Sequence, residues 1–297
     1  MTATAEVRKT QSSPTVDRLR RVGSQVLKHG FMIAMALFSL GPFLWLVGIA
    51  LRPVKETYVT PMPLLPRTLT LENFDYVWRK VPQMAIIYRN SLVVTGVTVA
   101  SAIIVTSLAG YAFARLRFPG RDIVFWSVLI TMFMPRVMTI PALYQLLHKF
   151  KLIDTWPGLF LPYTAYWLPL NLFIMRSAFE GIPKDLEDAA IIDGCSHWRA
   201  FWRVMLPLAA SSAVTVGIFT FVPVWGEYIF AFTFTETLKA MTLGPGIKLL
   251  QPGPATGEWT FPVAACAALL AFTPAILIYI GFQRWFSKGL LEGALKF

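Results

Sequence analysis

The sequence predicts an all-α, polytopic membrane protein with six transmembrane helices and a helical loop on the cytoplasmic side. Three observations carry that expectation. Mean hydropathy is +0.57, with 56% hydrophobic and only 14% charged residues, more apolar surface than a soluble domain can hide. The apolar residues collect into six runs of roughly 20 residues, the length a bilayer core demands. Lysine and arginine concentrate on alternate connections, as the positive-inside rule requires of a chain that crosses repeatedly.

Taken in order, residues 1–30 form a polar, basic cytoplasmic segment carrying Arg8, Lys9, Arg18, Arg20, Arg21 and Lys28. Residues 1–13 have the composition of a disordered tail. Val16, Leu19, Val22, Val26 and Leu27 then line one side of a short amphipathic helix on the inner membrane surface, or belong to the same basic tail. The first apolar run starts at Phe31 and has no small-residue cleavage site, so it reads as a retained anchor. The six spans fall at about 31–51, 91–114, 123–147, 159–179, 208–232 and 261–282, within a transmembrane domain of residues 31–283. A polar segment with Pro61, Pro63 and Pro66 follows the first span, and TLENF at 70–74 reads as a helix start. Pro135 and Pro141 bracket a break in the third span. Residues 284–297 form a cytoplasmic tail.

The N-terminus, the Arg115–Arg121 turn, the 182–207 loop and the tail hold the majority of the basic residues, which places both termini and that loop in the cytoplasm. The net charge of +11 reports this topology and not nucleic-acid binding. The 52–90 segment is basic but long, and long segments weigh less in the rule. Cys195 lies in the polar loop and Cys266 in an apolar run, so no disulfide is expected.

That loop, IPKDLEDAAIIDGCSHWRAFWRVMLPL at 182–208, is the longest polar interruption in the C-terminal half. Pro183 suits a first helical turn, and Asp185, Glu187 and Asp188 then sit near the positive end of the helix. Asp193-Gly194 is a helix stop, Ser196 caps a second helix, and Pro207 closes it.

The spacing DAA-x3-G-x11-LP, from Asp188 through Gly194 to Leu206-Pro207, resembles the EAA loop of the inner-membrane subunits of ATP-binding-cassette importers. Asp188 stands where that family usually has Glu, which keeps the charge and shortens the side chain. The likeness extends over 31–297, through YAFARLRFPGR at 111–121, DTWPGLFLPY at 154–163, VWGEYIFAFTF at 224–234 and FQRWFSKGLLEGALKF at 282–297. It points to the carbohydrate-uptake branch, and to the smaller permease subunit typified by the maltose transporter.

The resemblance implies an EAA-type cytoplasmic coupling helix that docks in a cleft of an ATPase subunit. The carry-over falls on Glu187, Asp188, Ala189, Ala190, Asp193 and Gly194, with Trp198 and Phe201 as apolar support. Small alanines suit a groove, and the acids can pair with bases on the partner. It also implies a second permease subunit, two ATPase subunits, an extracytoplasmic solute-binding protein docking near the 233–258 connection, an oligosaccharide substrate and a home in the bacterial inner membrane. In this branch the tail, here 289–297, reaches between the ATPase subunits. ATP and Mg belong to the ATPase. This chain has no G-x-x-x-x-G-K-[ST] loop, no HExxH and no paired-Cys metal spacing, so it is expected to bind no cofactor and to be no enzyme.

Two charges fall inside spans, Arg136 and Glu227. Helical rise puts them about 22 Å and about 28 Å above the inner ends of their spans. Intramembrane charge faces a cavity or a partner. Arg136 either lines the path, where a guanidinium suits an acidic sugar, or pairs with Glu227, or snorkels to the outer interface. Tyr144, Tyr163, Trp225 and Tyr228 either stack on sugar rings along the path or form an interfacial belt. An importer of glycerol phosphates or another polar anion is the nearest alternative. An ion-coupled secondary transporter is the alternative of another class, with Glu227 as its sole support.

Overall fold

The computed structural model describes residues 14–57, 59, 66–80, 82–249 and 260–294, and among them there are helices and turns but no strands. The chain opens with α1 (Pro14–Ala50), followed by α2 (Val54–Thr57), α3 (Glu72–Lys80) and α4 (Pro82–Arg115). Next come α5 (Arg121–Ile130), a 3-10 turn (Thr131–Phe133), α6 (Arg136–Lys149) and α7 (Pro157–Glu180). The polar loop holds α8 (Lys184–Ile192), α9 (His197–Ala200), a π-turn (Phe201–Met205) and α10 (Leu206–Leu208). The chain then runs through α11 (Ala210–Trp225), α12 (Ile229–Phe234), α13 (Leu243–Leu249) and α14 (Phe261–Ala294).

Three described helices are long and apolar enough to cross a membrane, over Gly23–Ala50, Gln83–Arg115 and Phe261–Gln283. Two bent pairs, Arg121–Phe133 with Arg136–Lys149 and His197–Leu208 with Ala210–Trp225, raise the number to five if each is one span. Of the six expected spans, three to five are thus met among the described residues. α7 is long enough at 24 residues, but three prolines, Tyr163, Tyr166, Trp167 and Asn171 dilute its apolar character.

Several boundaries also move. α1 is one helix of 37 residues that runs unbroken from Pro14 through the first span. The side chains of 14–22, and all of residues 1–13, lie outside the described residues. The expected third span bends by 107°. Pro135 imposes extended backbone on Met134 (φ −72°, ψ 125°) and offers no N–H, while Pro141 is accommodated inside α6. The expected fifth span stops at Trp225, because Pro223 removes a donor from the last turn and Gly226 follows. α14 continues through Ala294, so the expected tail is mostly helical; its last three residues, 295–297, lie outside the described ones.

α4 sits at the centre. It packs on α7, α11, α13 and α3. At Gly110 it meets α7 so closely that a Cβ there would lie 2.8 Å from Met175 Cβ and 2.9 Å from the Arg176 amide. α14 packs on α11 and also back on α1, where Phe43 meets Phe272 edge-on at 6.5 Å and the Cys266 thiol donates to the Ala50 carbonyl at 3.3 Å. Outward residues of α1, Phe31, Phe38 and Leu44 among them, are exposed. An apolar helix with exposed apolar faces is made for lipid.

Candidate functional site

The polar loop folds much as its residue types dictate. Pro183 precedes α8 as its N-cap, with Asp185 and Glu187 in the first turn. Asp193 ends the helix, and Gly194 takes φ +86°, a left-handed conformation that a side chain would strain. The Ser196 hydroxyl accepts from the Arg199 amide at 3.3 Å and starts α9. Pro207 does not close the second helix. The wider π-turn at Phe201–Met205 absorbs the missing donor, the helix runs to Leu208, and Ala209 breaks it.

The loop has an inner and an outer face. Glu187 turns inward and is buried. Its Oε1 accepts from the Tyr111 hydroxyl at 2.5 Å, and its Oε2 lies 3.3 Å from Arg115 Nε. Arg115 Nη2 also donates to the Ile182 carbonyl at 2.5 Å. The Tyr111 ring packs on Phe179 at 5.7 Å and on Phe201 at 5.1 Å. Glu187 and Phe201 therefore anchor the loop from beneath, and the partners Glu187 meets within this chain are internal. Ala190 is buried beside them. Asp188, Ala189, Asp193 and Gly194 point outward with Leu186, Ile192 and Trp198. Ile192 is 85% exposed and Trp198 62%, unusual for large apolar groups in water. Trp198 stacks on Phe201 at 6.0 Å, so the exposed ring rests on the buried one.

The intramembrane charges meet. Arg136 Nη2 lies 2.7 Å from Glu227 Oε1. Arg136 is the first residue of α6, just past one helix break, and Glu227 lies in the other break, between α11 and α12. The carboxylate also accepts from the Tyr163 hydroxyl at 2.5 Å and from the Phe230 and Ala231 amides at 3.1 and 3.0 Å, satisfying the free donors at the start of α12. Arg136 stands over the Phe230 ring at 4.2 Å and over Tyr166 at 5.0 Å. The pairing reading fits this geometry. Trp225, expected along the path or in a belt, has a buried indole that donates to the Ala271 carbonyl at 2.7 Å. Tyr163 is buried as well. Tyr144 is half-buried and stacks on His148 at 6.3 Å, while Tyr228 is exposed and stacks on Phe232 at 5.3 Å.

A third polar cluster joins the connections at the opposite end of α4. Asp154 accepts from the Glu236 and Thr237 amides at 3.1 Å each and from the Thr237 hydroxyl at 2.6 Å. The Asn90 amide donates to the Leu238 and Met241 carbonyls at 2.9 and 3.0 Å, and the Ser91 hydroxyl accepts from the Leu243 amide at 2.7 Å. Sequence reasoning missed Asn90, Ser91, Tyr111 and Arg115. The only signal for the last two was their i, i+4 spacing at the polar end of a span, which puts both on one face.

Residues 102–292 match the family described as binding-protein-dependent transport system inner membrane component. The chain belongs to this family. It is a multi-pass inner-membrane transporter component and not an ATPase. Its relatives serve carbohydrate uptake. The trehalose transport system permease protein of Mycobacterium tuberculosis is 34% identical over 87% of this chain and 93% of its own. The sulfoquinovosyl glycerol transport system permease protein of Agrobacterium fabrum is 33% identical over 87% and 89%. Among solved structures, a chain of a bacterial ABC transporter involved in the import of the acidic polysaccharide alginate matches with TM-score 0.79 at 20% identity, over 94% of this chain and all of that one. That likeness speaks for the fold. The 182–208 loop lies inside the matched stretch, and so do the buried carboxylates of Glu187 and Glu227.

Proposed function

We propose that this permease forms half of the translocation pathway of an ATP-driven oligosaccharide importer and is driven through its 182–207 loop. The second half is another permease subunit. Two ATPase subunits supply ATP hydrolysis with Mg, and an extracytoplasmic binding protein delivers the sugar. The observation that carries the reading is the outer face of α8 and α9. Exposed Ile192 and Trp198 lie beside Asp188, Ala189 and Asp193 on a loop held rigidly from beneath. An apolar anchor within an acidic rim is the chemistry of a docking site for a partner with a groove and basic residues.

Six crossings fit this function, with α7 as the sixth. Its 24 residues reach about 36 Å, more than a hydrocarbon core needs. Its polar residues are covered from inside, where Asn171 donates to Thr220 at 2.8 Å and Tyr163 to Glu227. Both termini and the loop then lie in the cytoplasm, where the positive-inside rule puts them. The named cargoes of the relatives, trehalose and maltose among them, favour a di- or oligosaccharide. An acidic cargo draws no support from Arg136, whose charge Glu227 matches.

Purification of the complete transporter in mild detergent tests the reading. The wild-type chain is expected to retain a second permease and the ATPase. Gly194→Pro, which removes the left-handed turn and cannot adopt φ +86°, is expected to lose the ATPase alone. Retention of the ATPase by that variant would sink the coupling-loop assignment.

A further inference from the structure

α4 is anchored by buried polar contacts at both ends and differs in build from the other long helices. α1, α7, α11 and α14 each contain an internal proline, at Pro42, Pro162 and Pro169, Pro223 and Pro274. The segment that ends in α11 is also bent, by 73°, and the α5–α6 pair by 107°. α4 runs 34 residues with its proline only at the first position, where it costs no hydrogen bond. Of the buried hydroxyls along it, Thr98 and Thr106 bond their own helix four residues back, while Ser107 Oγ meets no partner among the described residues. No proline interrupts it after that first position, and its Gly110 is packed tightly against Met175 and Arg176 of α7.

At one end Asn90 and Ser91 hold three backbone groups of the 238–243 segment. At the other, Tyr111 and Arg115 hold Glu187 and the Ile182 carbonyl of the polar loop. Ser91 and Tyr111 are 20 residues apart, so about 30 Å of helix separates the anchors, a full bilayer core. Each anchor grips its segment through side chain to backbone or carboxylate contacts that a slid or tilted neighbour would break.

We propose that α4 is the rod that transmits the state of the 238–243 segment to the polar loop, and the reverse. The proposal rests on the coupling-loop reading given above. It assigns Asn90, Ser91 and Tyr111 as positioning residues, none of which meets ATPase or sugar. Arrival of a loaded binding protein at the outer connection would shift Leu238, Met241 and Leu243. The rod carries that shift to Glu187 and tilts α8 in its ATPase socket. Because coupling is reciprocal, ATPase closure moves the outer segment by the same path.

The test uses the complete importer in proteoliposomes, with ATP hydrolysis measured without and with loaded binding protein. Ser91→Ala and Tyr111→Phe each remove one hydroxyl and leave the packing in place. Each is expected to lower the thermal midpoint modestly, because a buried partner is left unsatisfied, and to cut the stimulation by the binding protein about tenfold while the basal rate and the co-purifying ATPase stay as in wild type. The double variant is expected to lose no more than the worse single one, because both act on one path. Two losses that multiply, or stimulation that stays unchanged, would overturn the rod. Loss of the ATPase from Tyr111→Phe would also overturn it, by moving Tyr111 into the docking surface, while leaving the coupling loop intact. The reverse failure, an ATPase retained by Gly194→Pro, removes the coupling loop itself.

Discussion

Glu187 and Glu227 are two solutions to one problem, the burial of a carboxylate. Each is almost fully buried, accepts a hydrogen bond from a tyrosine hydroxyl at 2.5 Å and faces an arginine. They differ in what they hold. Glu187 sits in the first turn of an intact helix and ties a surface loop to the end of α4. Its wet side is close, and exposed His197 stands 3.9 Å away. Glu227 sits where a helix is interrupted. It replaces backbone partners for α12 and clamps the start of α6, so two broken spans share a single anion. Glu187 ties a surface loop to a helix end, whereas Glu227 repairs broken helices.

Removing each anion should separate the two roles. The largest effect is expected for Glu227→Ala, which leaves Arg136 unpaired and two amides without acceptors. A loss of about 3–5 kcal/mol is expected, seen as a large drop in the thermal midpoint or failure to accumulate. Glu187→Gln keeps the shape and one acceptor, so the loss should be about 1–3 kcal/mol on the same thermal scale. If Glu187→Gln proves the worse of the two, the contrast between repair and positioning fails. Trp198→Ala, on the outer face of the same loop, should change the midpoint by under about 0.5 kcal/mol. It should weaken ATPase binding in a titration by about tenfold or more.

The smallest effect belongs to a carboxylate in open water. Glu56 accepts from the Thr68 hydroxyl at 2.6 Å and the Arg67 amide at 3.0 Å, and the Thr68 hydrogen bond leads in holding its carboxyl below the usual range. A folded pKa below the unfolded one stabilises above the unfolded value and loses that contribution as pH falls through the folded one. Thr68→Val should therefore bring the Glu56 titration up toward the ordinary carboxylate value, followed by site-specific NMR, and lower the midpoint slightly at neutral pH, an effect that fades as pH falls through the carboxylate range.

The elements legible in the sequence were those set by local chemistry. Pro183, Gly194 and Ser196 marked the ends of α8 and the start of α9 because capping and left-handed turns depend on single residue types. Pro135 likewise announced the break before α6. The Arg136–Glu227 contact stood among the open readings because both charges fell within spans and needed partners. What remained hidden was tertiary. No local pattern tells Tyr111 that its partner lies 76 positions away, or that Glu187 points in while Asp188 points out. Trp225 looked like a stacking platform because an indole carries no label for the carbonyl it will meet on α14. The split of the fifth span escaped because Glu227 supplies from a side chain the acceptors that a continuous helix takes from its backbone.

The packing of α1 on α14 has a consequence for manufacture. α1 packs on α14, more than 200 residues later, where Cys266 meets Ala50 and Phe272 meets Phe43. During synthesis that side of α1 stays uncovered until α14 is made. A chain stopped before residue 261 would leave Ile49 and Ala50 without their α14 lining, and would present the cell's quality control with an open seam at the start of the polypeptide. The order of translation thus makes completion of the last helix the step that closes the fold.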